Sequence, residues 1–277
     1  MVLVRILVAL LVIFALFLVN IVQLASLAVR PFSQSLFRKI NAKCAAGWWF
    51  LLTEAARIFF KLEVKIEGNT PQELSKSALV ICNHQSLMDS LALLTVGKEL
   101  GVLSHFKWFA KDTLVYIPFL GWGLWFLESI FLKRNWSQDR ESIQAAFKRI
   151  RQFHDPIWLV SFTEGTRKTP KKLAASSRFA ESSGMKPFEH VLFPRYKGFV
   201  ANIQGLDGRI EKIYDFTLVY SRKDPNFMHL FTGNPGTIHV YVEEFSIDAL
   251  PRDPVQLKDW LITQFRKKDD LISSAAH

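Results

Sequence analysis

From Ile6 to Val29 the chain carries no charge, and only Asn20, Gln23 and Ser26 interrupt a run of Leu, Val, Ile, Phe and Ala. A helix needs about 20 predominantly apolar residues to cross a bilayer. The pattern therefore predicts a retained N-terminal membrane anchor, since a secretory signal has a shorter apolar stretch and a small-residue cleavage site. Cys44 to Phe60 is a second apolar stretch, carrying Trp48 and Trp49 but also Glu54 and Arg57. It predicts a helix lying in the membrane interface, a pattern shared with amphipathic core helices. One true span and a hairpin held in one leaflet are equivalent at this level.

Beyond residue 60 short apolar runs alternate with amphipathic ones. Leu62 to Ile66 alternates as a strand does, Ala78–Cys82 is a short continuous apolar run of the kind buried in a sheet, and Ile157–Phe162 reads as a second buried strand. Lys107–Phe109, Tyr214–Tyr220 and Ile238–Val242 predict further strands. Leu87–Leu94, Asp139–Phe153 and Pro254–Leu271 predict helices; in the second, Ile143, Ala146, Phe147 and Ile150 share one face. Strands alternating with helices predict an α/β fold, a mixed sheet flanked by helices, with the N-terminal hydrophobic helices as its anchor. Val115 to Leu132 is almost wholly apolar, but Pro118, Gly121 and Gly123 argue for a loop followed by a strand rather than a membrane helix.

Composition sharpens the membrane reading. The 277 residues include 24 Phe and 8 Trp, and the formal net charge is +10. Aromatic side chains suit an interface, and a basic chain attracts anionic lipid, phosphorylated small molecules or nucleic acid. No sequence signature of a nucleic-acid module accompanies the charge, so no nucleic-acid partner is expected. Arg5 alone precedes the apolar run, whereas Arg30, Arg38, Lys39 and Lys43 follow it, which predicts that the bulk of the chain faces the cytoplasm. Cys44 and Cys82 lack metal-ligand spacing and are expected to be buried filler, with no metal site.

The chemistry concentrates where apolar runs end. Asn83-His84-Gln85-Ser86-Leu87-Met88-Asp89 follows the strand at Ala78–Cys82, and strand ends of open α/β sheets are where ligands bind. On one regular helix residues five apart point about 140° apart, so His84 and Asp89 meet only if the histidine lies in the loop and the aspartate in the first turn, a start resembling a capping box from Ser86. An imidazole so held by a carboxylate can remove a proton from a hydroxyl that attacks a thioester. With no G-x-S-x-G elbow, direct attack by a substrate hydroxyl is favoured over an acyl-enzyme. Phe162-Thr163-Glu164-Gly165-Thr166-Arg167 ends another strand: Gly165 permits close approach, Arg167 offers a fork for phosphate, and Glu164 is a candidate acceptor for glycerol hydroxyls. Lys133 and Arg134 after Phe131-Leu132, and Pro194 with Arg195 after Val191-Leu192-Phe193, complete the set.

In this order the blocks resemble the glycerolipid acyltransferase family, and most closely the gamma, delta and epsilon branch of its 1-acylglycerol-3-phosphate acyltransferases. The similarity extends through Tyr116-Ile117-Pro118, Gly121-Trp122, Phe131 to Trp136, Asp139-Arg140, Leu192 to Arg195, Lys197-Gly198-Phe199 and Tyr214-Asp215, over roughly residues 78 to 270. The resemblance implies His84 as base and Asp89 as its partner. It implies Glu164, Gly165, Thr166 and Arg167 at the acceptor glycerol phosphate, assisted by Lys133 and Arg134, with Pro194 and Arg195 shaping a substrate channel. It implies an acyl-CoA or acyl-carrier-protein co-substrate with no bound cofactor, a lysophospholipid acceptor, and a bilayer-bound enzyme facing the cytoplasm. Eukaryotic members of the branch run longer, with further hydrophobic segments, and the departure to a polar last helix here suggests a compact bacterial relative of the inner membrane. Residues 1–60 are then the anchoring helices and 61–277 the catalytic domain. Other lysophospholipid acceptors, such as lysophosphatidylglycerol or lysocardiolipin, and an inactive membrane-bound adaptor are the alternatives.

Overall fold

The apolar N-terminal run folds as α1 (Val2–Ala25) and the chain returns as α2 (Gln34–Ile58), capped by the Ser33 side chain. This computed structural model describes the whole chain except Asn69, Arg134, His154, Ala276 and His277. The two helices are fastened along their length. Arg5 donates to the carbonyls of Phe59 and Phe231 at 2.9 and 3.1 Å. Trp48 donates its indole N–H to Val12 O at 2.9 Å, and Asn41 donates to the Ser26 hydroxyl at 2.9 Å. The hairpin begins before the second apolar stretch: α2 starts at Gln34 rather than Cys44, so its basic first turns are helical too.

After the hairpin come β1 (Glu63–Gly68), β2 (Ala78–Cys82), α3 (Met88–Glu99), β3 (Phe106–Lys111), α4 (Leu120–Phe126), β4 (Ile130–Leu132), α5 (Trp136–Ile150) and β5 (Trp158–Phe162). The chain continues through α6 (Pro170–Ser182), α7 (Tyr196–Gly205), β6 (Lys212–Tyr220), α8 (His229–Thr232), β7 (Thr237–Ser246) and α9 (Pro254–Ala275). The strands form one seven-stranded sheet among the described residues, in the order β1-β7-β6-β2-β5-β3-β4. β7 pairs antiparallel to β6 and parallel to β1, whereas β6, β2, β5, β3 and β4 run parallel. The expected mixed sheet flanked by helices is the fold found.

β2 shows why its sequence is continuously apolar. Ala78, Val80 and Cys82 face the core built with α1, α2 and α3, while Leu79 and Ile81 face the core built with α5, α7 and α9. A strand alternates its side chains between faces, and with helices on both faces every residue is buried. Each large aliphatic side chain so buried contributes about 1.5–3 kcal/mol. Cys82 is fully buried, whereas Cys44 on α2 is only half-buried, because the apolar stretch around it packs on one side alone.

The run Val115–Leu132 departs from the loop and strand expected of it. It contains a 3-10 turn, a short helix (α4) and then β4. Gly121 makes the helix possible rather than preventing it: a Cβ there would lie 2.1 Å from the Leu114 carbonyl oxygen, so only glycine allows the first turn to pack on the preceding one. α6 and α7 were not anticipated, and β3, β6 and β7 extend beyond their predicted spans.

Among the described residues one helix, Val2–Ala28, is long and apolar enough to cross a membrane. Its outward side chains are exposed, Leu3 and Leu11 among them, and Phe17 packs edge-on against Phe119, which in turn meets Trp122. Phe32, Tyr116 and Trp125 are exposed as well, and large exposed apolar patches mark membrane or protein contact sites.

Candidate active site

His84 leaves β2 in the loop before α3, and Asp89 is the second residue of that helix. This is the arrangement that lets residues five apart meet. The Asp89 Oδ2 atom lies 2.7 Å from His84 Nδ1 and accepts from the backbone amides of Gln85 at 2.7 Å and Ser86 at 2.9 Å. The amide of Ser86 is one half of the expected capping box; the other half differs, the Ser86 hydroxyl accepting from Met88 N at 3.3 Å. Asp89 is completely buried, while the His84 side chain is 12% exposed. A buried carboxylate holding Nδ1–H fixes the tautomer and leaves Nε2 as the basic nitrogen. Nε2 has no protein partner among the described residues.

Two residues that the sequence did not single out for this role complete the pair. Tyr220, at the end of β6, donates its hydroxyl to Asp89 Oδ1. Burial and the Asp89 charge push the Tyr220 hydroxyl well above its ordinary range, so it stays a donor. Phe162, at the end of β5, stacks on the imidazole with ring centroids 4.0 Å apart and planes 18° from parallel. Both contacts depend on the pairing of β2 with β6 and β5, which no local spacing reports. Asn83 prolongs that pairing: its side chain donates to Leu218 O at 3.0 Å and accepts from Leu218 N at 2.8 Å. Replacing Tyr220 by Phe is expected to lower kcat roughly tenfold, about 1.4 kcal/mol, with KM unchanged. Steady-state kinetics of the variant check this.

The turn after β5 packs directly on the histidine loop. Lys168 N donates to His84 O at 2.7 Å and Arg195 N donates to Thr163 O at 2.7 Å, so residues 163–168, Pro194 and Arg195 meet beside His84. Gly165 has φ +71° and a Cβ there would come 3.2 Å from Arg195 Cγ; the left-handed backbone and the close approach both call for glycine. Pro194 is buried and Arg195 exposed. Thr166 is tied down, its hydroxyl 2.5 Å from Lys172 Nζ. Arg167 is exposed on this rim, and its guanidinium meets no partner among the described residues.

Glu164 departs from its expected role. It is 2% exposed, and Oε1 accepts from His84 N at 3.0 Å while Oε2 is buried with no hydrogen-bond partner among the described residues. Burial pushes its carboxyl up to about 8, the His84 and Leu192 amides offsetting this only in part. Thus Glu164 is mostly protonated near neutrality and braces the histidine loop from beneath, rather than facing a substrate hydroxyl. A Glu between Thr163 and Gly165 reads as a surface loop residue, and only the tertiary fold seals it.

Lys133 stands on the same rim at the sheet edge. Val80, Val160 and Trp108 are level across β2, β5 and β3, and Phe109 is level with Ile130. Three residues beyond Ile130, Lys133 comes to the height of His84, three strand spacings away, about 14 Å. Lys133 is exposed, its backbone amide held by Asp139 Oδ1 at 2.8 Å. Arg134 lies outside the described residues.

Comparison with known proteins adds to this geometry. Residues 61–221 match the family described as Acyltransferase, and residues 229–274 match Acyltransferase C-terminus. The chain is 34% identical over 260 residues to 1-acyl-sn-glycerol-3-phosphate acyltransferase 2 of Brassica napus, covering 92% of this chain and 67% of that protein. It is 31% identical over 257 residues to the gamma form of Homo sapiens, covering 91% and 68%. The chain thus spans about two-thirds of the length of these relatives. The crystal structure of the 1-acyl-sn-glycerophosphate acyltransferase of Thermotoga maritima aligns with a TM-score of 0.50 at 16% identity, over 92% of this chain and 95% of that one, which is a likeness of fold. The matched segments span both the His84–Asp89 rim and the helix that closes the sheet behind it, and the chain belongs to the acyltransferase family, among the O-acyltransferases.

Proposed function

We propose that the chain transfers an acyl group from acyl-CoA or acyl-carrier protein to the free hydroxyl of 1-acyl-sn-glycerol-3-phosphate, giving phosphatidate. The observation that carries this reading is the buried Asp89 locking Nδ1 of an imidazole whose Nε2 is free, beside an exposed Arg167. Nε2 takes the proton of the acceptor hydroxyl as its oxygen attacks the thioester carbonyl. The tetrahedral adduct then expels the thiolate, which takes the proton back from the imidazolium. Asp89 stabilises the imidazolium between the two transfers. No cofactor enters these steps.

Arg167 and Arg195 on the near side, with Lys133 farther along the rim, supply cations for the acceptor phosphate. The apolar surface of α1, Phe32, Tyr116, Trp122 and Trp125 supports seating in a bilayer. Because α1 is fastened to α2 at Arg5, Val12 and Ser26, the hairpin is read as lying in one leaflet. The cations that follow it support a reading in which the catalytic domain lies on the cytoplasmic side.

Purified full-length protein given an acyl thioester and a panel of lysophospholipids is expected to acylate lysophosphatidate fastest. A higher kcat/KM on lysophosphatidylglycerol or another lysophospholipid would overturn the acceptor assignment. Arg167→Ala is expected to lower kcat/KM for lysophosphatidate roughly ten- to hundred-fold, the worth of one charge-assisted contact to phosphate. Equal kinetics would remove Arg167 from the site.

A further inference from the structure

A cavity of about 450 Å³ opens beside α4, between α2 and α5. Ser129, just before β4, lies on its wall, with Trp125 of α4, Phe37 of α2, Arg30 from the turn after α1, and Ala145 and Arg149 of α5. It is separate from the catalytic rim: Ser129 is four residues from Lys133, about 13 Å along an extended chain, and β4 is about 14 Å across the sheet from β2.

Its chemistry is that of an anion site with an apolar side. Arg30 and Arg149 are both exposed, and neither meets a carboxylate among the described residues; Arg30 stands over the Phe37 ring at 5.4 Å. Glu128, also on the wall, is already held by Arg38 at 2.7 Å and Gln34 at 3.3 Å, so it does not neutralise them. The Ser129 hydroxyl is buried with no hydrogen-bond partner among the described residues, in a residue 6% exposed. A buried hydroxyl left unpaired costs about 1–3 kcal/mol, and a ligand oxygen would satisfy it. Trp125 continues the exposed apolar surface of α4. Two free guanidinium groups, an unsatisfied hydroxyl and two aromatic rings at the edge of an apolar belt match a phosphate ester with methylenes attached.

We propose that this cavity binds the phosphate headgroup of an anionic glycerophospholipid from the surrounding bilayer. Arg30 and Arg149 hold the phosphate oxygens, and Phe37 and Trp125 flank the glycerol and first methylenes. The proposal rests on α1 lying in the bilayer and is independent of the catalytic assignment.

The test titrates full-length protein in neutral detergent with dihexanoyl phosphatidylglycerol, dihexanoyl phosphatidylcholine and inorganic phosphate, read by native mass spectrometry and calorimetry. Phosphatidylglycerol is expected to saturate at one equivalent and to bind more tightly than the other two probes. The double variant Arg30→Ala, Arg149→Ala is expected to weaken it roughly tenfold or more, as loss of charge-assisted contacts does. Ala145→Trp, which fills the cavity from an exposed helix position and leaves the charge intact, is expected to weaken it as much. Lys148→Ala, which removes a neighbouring exposed cation off the cavity wall, is expected to change nothing. Wild-type affinity in Ala145→Trp would overturn the proposal, as would equal losses in Lys148→Ala and Arg149→Ala. Inorganic phosphate binding as tightly as the lipid would overturn it too, leaving a plain anion site.

Discussion

Alanine at His84 is expected to lower kcat for acyl transfer roughly 10²–10⁴-fold, the range that a positioned general base supplies. The variant should keep its fold. The His84 side chain hydrogen-bonds only Asp89 among the described residues, and Asp89 retains Tyr220 and the Gln85 and Ser86 amides when the imidazole is gone. The backbone contacts of residue 84 to Glu164 and Lys168 do not need its side chain. Single-turnover acyl transfer by the purified variant, alongside circular dichroism and vesicle binding, separates lost chemistry from lost structure. Acyl transfer at the wild-type rate would refute the general-base assignment.

The largest expected effect on stability lies behind the sheet. Lys268 of α9 is 1% exposed and forms an ion pair with Asp215 of β6, itself 4% exposed. The same ammonium donates to Phe216 O at 2.8 Å and Thr217 Oγ1 at 3.2 Å. Burial raises the Asp215 carboxyl above its ordinary range, and Lys268 opposes that rise. Lys268→Met strands the carboxylate in the core, and removing one partner of a buried pair costs about 3–5 kcal/mol. Denaturant unfolding in detergent should show that loss. The double variant Lys268→Met, Asp215→Leu should recover most of it, because well-packed apolar residues can replace a buried pair at little net cost.

The parts of the fold legible in the sequence are those where burial is two-sided. β2 announces itself because every residue is apolar, β5 because Ser161 alone interrupts its apolar run, and α5 because Ile143, Ala146, Phe147 and Ile150 repeat at helical spacing. The meeting of His84 with Asp89 was legible as a condition, that the histidine precede the helix and the aspartate begin it, and that condition holds. What was not legible depends on contacts distant in sequence. Tyr220 looked like a strand end and Phe162 like part of a motif, until β6 and β5 flanked β2. Glu164 looked solvated, until the loops around residues 84 and 192 closed over it. α6 has few buried apolar residues to mark it, Ala180 alone among its described residues being fully buried, and it starts from a Thr-Pro pair that also reads as a turn. The Gly121-Trp122-Gly123 segment misled in the opposite sense, because its first glycine serves a close approach of two turns rather than a break.

The grip of α9 extends past β6. Asp269, next to Lys268, accepts from the backbone amides of Glu189, His190 and Val191, the segment that leads into Pro194 and Arg195. Adjacent side chains on one turn therefore rivet the far end of the chain to a central strand and to the loop bordering the catalytic rim. The two matched segments, 61–221 and 229–274, are thus tied together by a buried ion pair and three backbone amides, so loosening the helix at Asp269 would release the strap that leads into Pro194 and Arg195.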